Sequence, residues 1–248
     1  MKLQLVRHAT LWVNYAGLSF LVDPMFGDAG VAPPIANSPN DRRNPLVPLP
    51  SGVDSWLNPD AVVVTHLHRD HWDDAAAAAL TKTLPILCQP GNEAAIAGAG
   101  FASVTPVDSR IEFRGVTISR TGGQHGTGEI GRTMGAVSGF VLKAEGEPTV
   151  YIAGDTIWCD EVREALDGFR PDIAVVNAGG ARFRTGDPIT MDADGVVSFC
   201  RYASYTKAVA VHMDAINHCL VTRADLRARL AEEGLLQQVA IPGDGDWI

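Results

Sequence analysis

Between Ala61 and Asp74 the chain reads AVVVTHLHRDHWDD, so four apolar residues run directly into three histidines and an aspartate within six positions. An unbroken apolar run of this length fits a strand buried on both faces, which calls for a sheet covered by helices. The strand is expected to end near Thr65. His66 and His68, two apart in extended chain, then point to the same side. Asp70 and His71 fall at the turn before a helix starting at Asp73. Nitrogen and oxygen donors therefore collect at the carboxyl end of a buried strand, where open α/β sheets place their ligands. The whole chain has seven histidines, and imidazole with carboxylate suits zinc, iron or manganese. The competing reading is a solvated polar loop, which gives no reason for this concentration.

The remaining sequence alternates two kinds of segment. Short β-branched runs predict strands over Leu11–Tyr15, Leu18–Val22, Ala61–Thr65, Val116–Arg120, Val137–Leu142, Thr149–Ala153, Ile173–Asn177 and Ala208–His212. Helical patterns lie between several of them, over Asp73–Thr81, Glu93–Ala99, Glu161–Phe169, Met191–Tyr202 and Thr222–Glu233. The last opens on TRAD, a capping-box-like start. Hairpin-like strands first and strand–helix units later make a mixed α/β architecture. PDAVVVTHL from Pro59 is echoed by PDIAVVNAG from Pro171. The echo is compatible with two similar halves and equally with generic turn chemistry. From Pro24 to Pro59 the chain holds eight of its 15 prolines without a sustained apolar period. Loops of that length are often functional. No linker-like composition appears elsewhere, so residues 1–248 read as one domain.

Composition narrows the function classes. A net charge of −9 repels phosphate backbones and argues against nucleic acid or anionic membrane as a general partner. No window reaches the roughly 18 apolar residues of a membrane span. The N-terminal stretch alternates apolar and polar residues instead of presenting a signal-peptide core. Four scattered cysteines, with no CxxC, suggest neither a disulfide framework nor a cysteine-rich zinc site. A reducing cytoplasm is the expected location, and a homo-oligomer is left open.

THLHRDH resembles the H-x-H-x-D-H signature of the metallo-β-lactamase fold superfamily. Further ligands expected downstream by that resemblance occur in order: His125 in TGGQHGTG, Asp155 in YIAGDT and His212 in AVAVHMD. Taken singly, His125 reads as a loop residue, His212 as a strand-end histidine and Asp155 as a helix N-cap; with the first motif, ligation is the stronger reading. The resemblance spans about Leu21 to His212. It implies an α/β four-layer αββα sandwich of two similar halves. It also implies that His66, His68 and His125 hold one ion, that Asp70, His71 and His212 hold a second, and that Asp155 bridges. Two cations about 3.5–4 Å apart need such a shared anion. Zinc is the first expectation, with manganese or iron as alternatives.

Within the superfamily, Asp155 stands where many two-metal zinc β-lactamases have cysteine, and His68 where flavodiiron proteins have glutamate. The chain lacks the length for the helical domain of glyoxalase II and the basic surface of the RNA-processing members. What remains resembles the stand-alone branch of L-ascorbate 6-phosphate lactonase and the N-acylphosphatidylethanolamine phospholipase D-like proteins, through the opening RHATLWVNYAGLSFLVDP and a Pro-rich SP…R stretch before the motif. The resemblance implies hydrolysis of an ester, lactone or phosphodiester bond in a small molecule by hydroxide generated at the metals. A non-hydrolytic iron-containing redox protein on the same fold is the alternative. Asp70 is expected to accept a proton as well as bind metal. His218 is the candidate general acid, against a reading as a buried structural histidine. His8 and Asp23 are candidates to orient ligand imidazoles. Arg42 and Arg43 are candidates to meet an anionic substrate, against a solvated surface pair. Asn177, Arg182 and Arg184, beyond the Ile173 strand, are expected to face the same mouth.

Overall fold

In the computed structural model, which describes residues 1–248, the chain forms a six-stranded and a seven-stranded sheet. The first holds β1 (Lys2–Arg7), β2 (Thr10–Tyr15), β3 (Leu18–Val22), β4 (Ala61–Val64), β5 (Pro85–Cys88) and β6 (Ser103–Pro106), side by side in chain order. The second holds β7 (Arg110–Phe113), β8 (Val116–Thr121), β9 (Gly139–Lys143), β10 (Val150–Ile152), β11 (Ile173–Asn177), β12 (Lys207–Val211) and β13 (Val239–Ala240), again in order. Each sheet begins antiparallel and turns parallel: β1–β3 are antiparallel and β3–β6 parallel, while β7–β10 are antiparallel and β10–β13 parallel.

The Pro-Asp echo falls at the same joint of both halves, the first parallel pairing. In the first half the Asp60 backbone N–H donates to Ser19 O at 2.8 Å, and the Ser19 N–H donates to the Asp60 carboxylate at 2.9 Å. In the second, Asp172 N–H donates to Thr149 O at 2.9 Å and Thr149 N–H to the Asp172 carboxylate at 2.7 Å. The same two-bond clasp starts each parallel half-sheet and sets its register.

Side-chain alternation explains the layers. In β4, Ala61 and Val63 face the core between the sheets, while Val62 and Val64 face outward beneath α1 (Asp74–Ala79) and α2 (Glu93–Gly98). In β12, Val209 and Val211 face inward, and Ala208 and Ala210 pack under α4 (Asp160–Phe169), α5 (Ala193–Tyr202) and α6 (Arg223–Glu232). A strand buried on both faces has no polar alternation to show, which is why these runs read as continuous apolar stretches. The order helix, sheet, sheet, helix is the four-layer sandwich that the family resemblance implied. Tyr15 ties the two sheets: its hydroxyl donates to Pro148 O at 2.9 Å and accepts from Ala144 N–H at 3.1 Å.

The structure adds elements that periodicity did not predict. These are β1, β5, β6, β7, β13 and the short α3 (Gly128–Met134). Most are short segments whose register comes from a neighbouring strand rather than from their own pattern. The Pro24–Pro59 stretch is a loop, pinned by an isolated bridge between Ala32 and Asn44 and by one 3-10 turn at Val53–Trp56. No helix is long and apolar enough to cross a membrane.

Candidate metal centre

Six connections bring polar residues to one edge of the sandwich. His8 lies between β1 and β2, Asp23 follows β3, and the His66–His71 turn follows β4. His125 follows β8, Asp155 follows β10 and His212 follows β12. Turning a side chain back over the sheet edge strains the backbone: His8, Asp23 and His212 have φ of 61°, 44° and 67°. The left-handed region is unfavourable for such residues by about 1 kcal/mol or more, and three of the chain's eight non-glycine residues with positive φ meet at this edge. Close approach is enforced by glycine. A Cβ on Gly179, just past β11, would lie 2.1 Å from His212 O. Gly154, at φ 68° before Asp155, would place one 2.6 Å from Ser138 O.

The donors fall into two groups around Asp155. On one side stand His66, His68 and His125, with His66 Nε2 only 2.9 Å from His68 Nδ1. On the other stand Asp70, His71 and His212, joined by His8, with His71 Nε2 3.3 Å from His212 Nε2. One oxygen of Asp155 faces His66 Nε2 and His125 Nε2, at 3.9 and 3.5 Å. Its other oxygen faces His71 Nε2 and His212 Nε2, at 3.3 and 3.2 Å. Asn177, at the end of β11, donates from its amide to that second oxygen at 2.6 Å.

The outer ring nitrogens are held by acceptors, which turns the inner ones toward the centre. Asp23, 2% exposed, accepts from His71 Nδ1 at 2.7 Å, from Thr65 N–H at 2.8 Å and from the Thr65 hydroxyl at 2.7 Å. Thr65 has then spent its one proton, so its oxygen accepts from His66 Nδ1 at 3.0 Å. His125 Nδ1 donates to Ile189 O at 2.7 Å, and His212 Nδ1 lies 3.4 Å from Cys219 Sγ. Facing nitrogens such as His71 and His212 need a proton or a cation between them.

Electrostatics agree. Asp155 and Asp70 are buried, which opposes their charge, yet the surrounding imidazoles hold both well below the usual carboxylate range. Burial opposes charge on His71 too, but Asp155, Asp23 and Asp70 outweigh it and raise its pKa well above the ordinary value. Burial and the neighbouring His71 hold His66 well below that value. Burial also lowers His125. Buried carboxylates and imidazoles gathered in this way form a donor set suited to divalent cations.

The other predicted residues spread more widely. His8 is fully buried; its Nε2 donates to Asp70 Oδ2 at 3.1 Å, its ring lies 3.7 Å from that of His212, and its Nδ1 has no partner. Burial and His212 push its pKa down to about 3. His218 is buried at the rim of the centre with Nδ1 unpartnered, and burial pushes it down to about 4. Arg43 donates to Gly30 O and Val31 O at 2.7 Å, Arg182 to Gly186 O at 3.1 Å and Arg184 to Ser38 O at 2.9 Å. Arg42 is exposed. Sequence reasoning missed Thr65, Cys219 and the Ile189 carbonyl, whose only signal is proximity in space.

Comparison with known proteins identifies the family. A family model described as a Beta-lactamase superfamily domain matches residues 19–213. The UPF0173 protein YddR of Bacillus subtilis is 34% identical over 99% of this chain and 98% of its own. The solved structure of an isothiocyanate hydrolase from Delia radicum gut bacteria is 38% identical, with a TM-score of 0.95 over 100% of this chain and 98% of that one. A possible metal-dependent hydrolase from Veillonella parvula is 34% identical, with a TM-score of 0.97 over the same shares.

Proposed function

The chain belongs to the β-lactamase superfamily, and from that premise we propose that it is a dinuclear metal-dependent hydrolase of a small molecule with an electrophilic carbon. The observation that carries this reading is Asp155, whose two oxygens face two separate donor groups. His66, His68 and His125 would hold one divalent ion and Asp70, His71 and His212 the other, with Asp155 shared. Zinc suits this mixed nitrogen and oxygen set, and manganese or iron are the alternatives. Bound ions of this kind polarise the attacked group and lower the pKa of water to about 7.

The protein's own residues do the rest. Asn177 holds the shared carboxylate in place, and His8 holds Asp70 by one oxygen, leaving the other to receive a proton. His218, neutral at pH 7 because burial holds it down to about 4, is not a standing acid. It delivers a proton to the leaving group only after taking one, which makes it a relay from attacking water to leaving atom.

Among substrates, neutral carbon electrophiles rank ahead of phosphodiesters in this reading. The relative described as an isothiocyanate hydrolase supports it, since the central carbon of an isothiocyanate is an electrophile of the same kind as an ester or lactone carbonyl. Elemental analysis of the wild type and Asp155→Ala, purified without added metal, tests the centre, alongside a panel of esters, lactones, isothiocyanates and phosphodiesters. The expected result is about two ions per chain, a clear drop in the variant, and turnover of a carbon electrophile. No metal after reconstitution overturns the reading. A single iron with a visible absorption band and no hydrolysis would establish the redox alternative instead.

A further inference from the structure

Beside the metal centre the Pro24–Pro59 loop encloses a cavity of about 630 Å³ that reaches Asp70. Its apolar lining comes from Met25, Phe26, Val31, Ile35 and Ile216. Its ionisable lining is acidic: Asp28, Asp70, Asp73 and Asp74 against Arg69 alone. Neither Arg42 nor Arg43 lines it.

We propose that this cavity binds the uncharged, apolar end of the substrate while the reacting end sits at the metal centre, so the protein selects small hydrophobic molecules without a negative charge on that end. The proposal rests on the hydrolase reading for the reacting end only. Apolar walls of this size suit a small organic ligand, and an anionic group placed among these aspartates would be repelled. Ile216 joins the two regions, since it lines the cavity and lies two residues before His218.

The walls are held in advance of binding. Asn217 makes six hydrogen bonds with the loop: Ile35 N–H and the Asn44 amide donate to its Oδ1, its own amide donates to Ser38 Oγ and Asn40 O, its N–H donates to Asn44 Oδ1, and the Asn40 amide donates to its carbonyl. At the inner end, the buried Arg7 donates to Met25 O and Gly27 O at 2.8 and 2.9 Å. Asp73 accepts from Phe26 N–H and Gly27 N–H at 3.1 and 2.7 Å. The carbonyls and amides of one short segment are thus clamped from opposite sides. A preorganised apolar site loses little entropy when it fills.

The test reads binding without turnover. Linear primary alcohols from butanol to octanol are titrated into the metal-loaded protein and followed by NMR. Affinity is expected to rise about fourfold per methylene, the factor set by ~0.8 kcal/mol of burial for each. Val31→Trp, at a position 59% exposed at the cavity mouth, and Ile35→Trp, deeper in, are expected to abolish that rise with metal content unchanged. A flat series, or a rise that survives both variants, overturns the proposal. A rise removed by the variants in a protein that hydrolyses nothing sustains the cavity and sinks the hydrolase reading. Hydrolysis with no dependence on chain length does the reverse.

Discussion

Replacing Asp23 by asparagine changes almost no volume, yet it should disturb both metal-binding groups. The carboxylate accepts three hydrogen bonds, from Thr65 N–H, the Thr65 hydroxyl and His71 Nδ1. An amide can accept at one end only. If its oxygen stays on Thr65 N–H, its NH2 faces the Thr65 hydroxyl and His71 Nδ1. His71 must then accept at Nδ1 and carry its proton on Nε2, the nitrogen that faces Asp155 and His212. The Thr65 hydroxyl must turn its proton toward His66 Nδ1, which moves the His66 proton to Nε2 as well. One imidazole in each group then presents N–H where a ligand lone pair is needed. If the amide flips instead, its NH2 opposes the buried Thr65 N–H, an unsatisfied pair worth about 1–3 kcal/mol of stability. Loss of such an orienting partner typically weakens metal binding about 10–100-fold, equivalent to ~1.4–2.7 kcal/mol. Competition against a colorimetric chelator near neutral pH, with thermal unfolding of the same samples, measures both terms. Asp23→Asn is expected to bind both ions more weakly, or to melt lower, or both. Wild-type affinity for both ions together with a wild-type melting temperature would refute the tautomer argument.

Three further outcomes follow from the same geometry. Asn177→Ala removes the amide that holds one oxygen of Asp155, and metal affinity should fall about tenfold; equilibrium dialysis matching the wild type would show that Asp155 needs no such support. His71 has its pKa raised well above the ordinary value by its carboxylate neighbours, so at neutral pH it holds a proton that a metal must displace, whereas His66 and His125, with lowered values, hold none. Metal binding should therefore release protons and weaken as pH falls, and an apparent enthalpy that is identical in buffers of different ionisation heat would count against it. Tyr15→Phe loses the hydroxyl contacts joining the sheets, so unfolding free energy should drop by about 1–2 kcal/mol in denaturant titration while metal stoichiometry stays unchanged.

Much of the fold was legible because burial on two faces writes itself into sequence. The runs read as strands at Ala61–Thr65, Ile173–Asn177 and Ala208–His212 are strands under helices, at Ala61–Val64, Ile173–Asn177 and Lys207–Val211. The Pro-Asp pairs before β4 and β11 were compatible with two similar halves and equally with generic turns, and only the structure shows the shared clasps to Ser19 and Thr149. The short strands β5, β6 and β13 escaped notice because a neighbour's register, rather than their own pattern, holds them extended. The donor set was local enough to see, since His66, His68, Asp70 and His71 share one turn and the others sit at strand ends.

What tertiary packing added lies between residues far apart in the chain. Asp23 meets His71 across 48 positions, Asn177 meets Asp155 across 22, and Asn217 meets Ser38 across 179. A residue's type states which hydrogen bonds it can make, but the partner depends on which strand ends the sheets bring to one edge. For the same reason the Pro-rich loop was recognisable as a loop, whereas its part in an apolar cavity depends on Ile216 and Asp70 arriving from the opposite halves of the sandwich.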